Sequence, residues 1–129
     1  MKCEKTKKPY GQELILDLHE CDPSTFTRKS IRKYFKELCE KIDMNREKLV
    51  WWDDLHTPDA DKSVLPHLVG TSAIQFITTS NITIHTLDIM ERVYLNIFSC
   101  KSFDKEKAKT FSVDWFKGKV MNNHFVDRV

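Results

Sequence analysis

The chain has 129 residues, of which 40% are hydrophobic and 31% charged, and its formal net charge is +2. That length suits one domain with a single core, the composition is that of an ordinary globular protein, and the charge is too small to imply nucleic acid as a partner. No apolar run reaches the roughly 20 residues of a membrane helix, and MKCEKTKKPY offers no signal-like stretch, so the expectation is a cytoplasmic protein with no membrane partner.

Lys5, Lys7 and Lys8 read as a solvated tail. Residues Glu13 to His19 then alternate, with Leu14, Leu16 and Leu18 on one face and Glu13, Asp17 and His19 on the other, which is the pattern of a half-buried strand. Asp22-Pro23-Ser24 supplies N-cap chemistry, and Phe26, Ile31, Phe35, Leu38 and Ile42 follow at near-helical spacing, predicting a helix of about five turns. Lys48 to Trp52 reads as a second strand and Asp53 to Pro66 as a loop. GTSAIQFITT from Gly70, ITIHT and VYLNIFSC are three strands in succession, an antiparallel meander. Asp104 can cap a second helix with the stripe Ala108, Phe111 and Trp115, Gly118 stands where it would stop, and a last strand runs from Lys119 to Val126. The order implies an α+β fold over residues 1–129: a two-layer sandwich, an antiparallel sheet with two helices packed on one face.

Cys3, Cys21, Cys39 and Cys100 are widely spaced with no Cys-x-x-Cys pair, so neither a zinc site nor a disulfide framework is expected. His56 with Asp53, Asp59 and Asp61 matches no metal signature, and no metal is expected there.

Chemistry concentrates after residue 76. Ser80 and His85 lie five positions apart among strand formers, with Cys100 closing the next strand. Alternation sends Ser80 and His85 to opposite faces of an uninterrupted strand, so a turn must intervene if they cooperate. Ser80-Asn81 suits one, because both residues bond locally to the backbone and asparagine tolerates positive φ.

Three stretches, Gly70-Thr71-Ser72, Thr79-Ser80-Asn81-Ile82-Thr83-Ile84-His85-Thr86-Leu87-Asp88-Ile89 and Phe98-Ser99-Cys100, resemble the core of prokaryotic S-adenosylmethionine decarboxylases. In that family the core reads Gly-x-Ser, Glu-Ser-His-x-x-Ile-His-Thr-Trp-Pro-Glu and Phe-Thr-Cys. The opening, Gly11 to Asp22, also tracks the family's first strand. The resemblance implies that the hydroxyl of Ser80 attacks the Thr79 carbonyl, cleaving the chain between Thr79 and Ser80 and leaving a pyruvoyl group on residue 80. Such a group condenses with a substrate amine and serves as an electron sink in place of pyridoxal phosphate. His85 matches the processing histidine and Cys100 the proton donor of catalysis. The small-molecule substrate would be S-adenosylmethionine, the pathway polyamine synthesis, and the assembly a homodimer of processed units.

The chain departs from the pattern at Thr79 (family glutamate), Asn81 and Glu13 (family histidines) and Leu87-Asp88-Ile89 (family Trp-Pro-Glu). The family's last glutamate is expected to bind ribose hydroxyls, and Ile89 cannot accept a hydrogen bond, so Asp88 or Glu91 stands as the substitute substrate-binding residue. Trp51 to Asp61, with its aromatics and carboxylates, has no family counterpart. Two rival readings follow: the same cofactor acting on ornithine or arginine, and an uncleaved regulatory paralogue.

Overall fold

The computed structural model describes residues 8–129, so Cys3, Lys5 and Lys7 lie outside the described residues. Six strands, β1 (Gly11–His19), β2 (Arg46–Trp52), β3 (Gly70–Ile77), β4 (Ser80–Leu87), β5 (Arg92–Ser99) and β6 (Lys119–Arg128), form one sheet in the order β2-β3-β4-β5-β1-β6. Every neighbouring pair is antiparallel. Helices α1 (Arg28–Lys41) and α2 (Lys105–Phe116) complete the α+β sandwich.

The first helix starts later than its capping signal suggests. Asp22 accepts from Ser24 N–H at 3.0 Å and opens only a 3₁₀ turn at Pro23–Thr25. Thr27 is the cap of α1, its hydroxyl accepting from Ser30 N–H at 3.1 Å. At the end of α2 the left-handed residue is Lys117, with φ 55°, rather than the glycine after it. Gly118 answers a different need: a Cβ there would lie 2.6 Å from Cys21 Sγ and 3.1 Å from Leu18 Cβ.

Alternation sorts the sheet into two faces. Leu14, Leu16, Leu18, Ile82, Ile84, Leu95 and Ile97 are buried beneath Ile31, Phe35 and Leu38 of α1 and Ala108 and Phe116 of α2. The register lays three rows across the other face: Val50–Ile74–Thr83–Asn96–Ile15–His124, Trp52–Ser72–His85–Tyr94–Asp17–Asn122, and Phe76–Asn81–Phe98–Glu13–Val126. Among the described residues nothing covers these rows, and Trp52 is 82% exposed.

The helix layer contains one buried polar pair. Ser112 Oγ donates to Ala108 O at 2.7 Å, so the Tyr34 phenol must donate to Ser112 across 2.6 Å. The direction predicts an asymmetry in urea denaturation. Ser112→Ala strands a fully buried O–H donor and costs about 1–3 kcal/mol, whereas Tyr34→Phe removes that donor and costs about 1 kcal/mol. Equal losses would mean that the donor assignment is reversed.

Candidate active site

The β3–β4 turn consists of Thr78 and Thr79, with Ile77 opposite Ser80. It therefore precedes Ser80 and does not fall at Ser80-Asn81. Two-residue hairpins favour turns with positive φ at one or both loop residues, but neither threonine adopts it. The positive φ falls instead on Ser80, at 156°, a conformation that side-chain-bearing residues adopt at a cost of about 1–3 kcal/mol. Strain thus sits on the second residue of the Thr79–Ser80 bond.

That bond is also held. Thr79 O accepts from Cys100 N–H at 3.1 Å, and Thr79 Oγ1 lies 2.7 Å from Ser99 Oγ. Asn81 Nδ2 donates to Ser80 Oγ at 3.2 Å, so at the sheet's rim the serine hydroxyl is in reach of an open-face side chain. A carbonyl with a backbone donor on its oxygen and a hydroxyl on the adjacent residue is the arrangement an N-to-O acyl shift needs, because charge developing on that oxygen is already met by a donor.

His85 lies elsewhere. With the turn at Thr78–Thr79, five residue steps along β4 separate it from Ser80, about 16 Å, and alternation puts the two on opposite faces. Its partner is Ser72, directly across the β3–β4 ladder, with Ser72 Oγ 2.5 Å from His85 Nδ1. Gly70 lets β3 lie flush on β4 at this point, since a Cβ there would collide with Thr86 O. Tyr94, next across β5, stacks on the imidazole with centroids 6.5 Å apart. Residues Ile77 and Ser80 pair, so positions summing to 157 face each other, and Ser72 with His85 follows from the turn alone. That signal was in the sequence once the turn was placed.

Cys100 is exposed, one residue past β5, and its thiol beside the Tyr10 phenol is the main cause of a rise in the phenol's pKa above its ordinary value. Cys21 and Cys39 are buried, and burial pushes each thiol up to about 11, where it is inert near neutrality. Cys100 is the accessible thiol among the described residues.

Asp88 and Glu91 follow the far end of β4, remote from Ser80 in the same chain. Asp88 lines a pocket of about 280 Å³ with Arg28, Asp53, Asp54, Leu55 and Thr71, and its carboxyl is raised by partial burial and then by Asp54. Glu91 is exposed in the β4–β5 turn with φ 56°. Asp53, by contrast, is held below the carboxylate range, chiefly by Arg28, which grips it through Nε at 2.7 Å and Nη2 at 2.9 Å. A lowered folded-state pKa gives stability that is present above the unfolded value near 4 and lost as pH falls through the folded one. Asp53→Asn should therefore cost up to about 1 kcal/mol at pH 7 and flatten the acid limb of a stability profile below about pH 4. An unchanged acid limb would show that the pair does not titrate with folding. Among the described residues no group of three or more His, Cys, Asp or Glu could hold a metal, and no helix is long and apolar enough to cross a membrane.

A family model described as S-adenosylmethionine decarboxylase matches residues 12–129. Among solved structures, the adenosylmethionine decarboxylase of Aquifex aeolicus VF5 is similar in fold, with a TM-score of 0.73 at 16% identity, covering 94% of this chain and 92% of that one. No curated protein matches in sequence.

Proposed function

The chain belongs to the S-adenosylmethionine decarboxylase family, and we propose that it is a self-processing decarboxylase that makes a pyruvoyl group from Ser80. The observation that carries this reading is the Thr79–Ser80 bond, strained at Ser80 and gripped at its carbonyl by Cys100 N–H. In processing, Ser80 Oγ bonds to the Thr79 carbonyl carbon, the C–N bond breaks, and nitrogen gains the hydroxyl's proton, giving an ester. Loss of the Ser80 Cα proton then expels the Thr79 carboxylate, and hydrolysis releases ammonia.

A group formed at residue 80 would stand beside Asn81, Ser99 and Cys100, and when present it supplies the electron sink for loss of carbon dioxide. Cys100, accessible and adjacent, suits the delivery of a proton to the substrate carbon. S-adenosylmethionine is the proposed substrate, in polyamine synthesis.

His85 cannot reach Ser80 in its own chain, which supports a homodimer joined through the uncovered sheet face. An antiparallel face-to-face pairing about Thr83 sets a second copy's Ser72–His85 pair over the Asn81 end of β4. The interface would be isologous and would bury the exposed Val50, Ile74, Phe76 and Val126. His85 would then exchange the processing proton in trans.

The acidic pocket around Asp54 and Asp88 favours, as a second reading, a basic amino acid substrate. Intact-mass analysis is the primary test: fragments 1–79 and 80–129 are expected. Release of labelled carbon dioxide from S-adenosylmethionine, ornithine and arginine in parallel then separates the substrates, and no release from any of them would end the enzyme reading.

A further inference from the structure

The turn before Ser80 is gripped from two sides. Thr78 N–H donates to Asn45 O at 3.0 Å and Thr78 Oγ1 to Glu47 Oε2 at 2.7 Å, tying the first turn residue to the α1–β2 connection and β2. Thr79 is held by the end of β5 and the residue after it: its carbonyl by Cys100 N–H at 3.1 Å and its hydroxyl by Ser99 Oγ at 2.7 Å. Ser99 is fully buried and opposite Ser80 in the ladder, and Lys101 N–H donates to its oxygen at 3.0 Å. Met44 Sδ, 3.5 Å from Thr79 Oγ1 and 3.7 Å from Ser99 Oγ, is the acceptor left for the second hydroxyl proton. One proton bridges the two oxygens and the other meets sulfur, so the circuit closes without water. Lys101 Nζ anchors the segment by donating to Asp43 O at 2.6 Å and Oδ2 at 2.7 Å.

We propose that Ser99 is a positioning residue for self-cleavage, its hydroxyl fixing Thr79 through Oγ1 so that the Thr79 carbonyl stays on the Cys100 N–H. This rests on the reading of Ser80 as the processing nucleophile. It explains how threonine serves where the family has glutamate: Thr79 Oγ1 engages a buried serine and a thioether, partners suited to a short neutral hydroxyl. Ser99 touches no reacting atom. It acts by limiting the orientations of the carbonyl that Ser80 Oγ must approach.

The test begins in the uncleavable Ser80→Ala chain, by NMR hydrogen exchange at the Cys100 amide. Adding Ser99→Ala should speed that amide about tenfold while leaving those of Leu95 and Ile97 unchanged. Ser99→Thr, which keeps the hydroxyl, should restore protection. Thr79→Val should match Ser99→Ala, and the double variant should add nothing further. In the chain bearing Ser80, the same substitutions should slow the appearance of fragments by about the same factor. An unchanged Cys100 amide, equal acceleration across β5, or failure of Ser99→Thr to restore protection overturns the proposal. If no chain cleaves, including the wild type, the processing reading falls, while the exchange measurement still decides whether Ser99 sets the carbonyl.

Discussion

Ser80→Ala is expected to leave a single full-length mass where the unaltered chain gives two fragments, and to lower decarboxylation by at least about 10⁴-fold, to the assay background. The substitution is a clean one. Alanine keeps a Cβ at the 156° φ, and pairing with Ile77 and Ser99 is made by the backbone, so the hairpin and its strain persist. What disappears is the oxygen that attacks Thr79. Thermal unfolding should therefore stay close to that of an unprocessed Ser80 chain, separating loss of chemistry from loss of fold. Cleavage that persists in Ser80→Ala, or occurs at another bond, would remove Ser80 from its role and the pyruvoyl reading with it.

Mixing two inactive variants is expected to restore processing. In the proposed dimer Ser80 of one copy meets His85 of the other, so Ser80→Ala and His85→Ala homodimers each contain two dead sites. A hybrid joins Ser80 from the His85→Ala chain to His85 from the Ser80→Ala chain, and its other site carries both substitutions. Only the His85→Ala chain should then be cut, and at most about half of the hybrid's sites can mature. Co-expression with distinguishable tags, followed by intact mass, reads this directly. If His85 acted in its own chain, no hybrid would cleave, and the 16 Å separation along β4 would have to be bridged by a rearrangement.

The sheet and both helices were legible in the sequence because their signals are local: Leu14, Leu16 and Leu18 alternate, and Ile31, Phe35 and Leu38 keep helical spacing. Boundaries were less so. Asp22 and Thr27 both carry capping side chains, and between the two segments they open Phe26 packs against Phe116, with ring centroids 6.1 Å apart, a long-range contact that local spacing does not show. Turn chemistry misled more seriously. Ser80-Asn81 has stronger turn propensity than Thr78-Thr79, yet the buried alternation of Ile82 and Ile84 continues to Ser80 and assigns it to the strand. The Ser72–His85 pair was hidden by that one misplacement, since register is set at the turn. The Thr79–Ser99–Met44 circuit left no pattern to read, because it joins residues from a turn, a strand end and the α1–β2 connection.

The strand order also decides what a cut before Ser80 would do to the molecule. The first fragment would own β1, β2 and β3 and the second β4, β5 and β6. In the sheet, however, β1 lies between β5 and β6, and β3 is zipped to β4 along its whole length. The two products are therefore interdigitated, and separating them means dismantling the core. Severing the backbone would free the new terminus of residue 80 to relax from its strained torsion while the polypeptides remain one folded body. Maturation on this plan is a local event at a rim, carried by a scaffold that does not need its own covalent continuity.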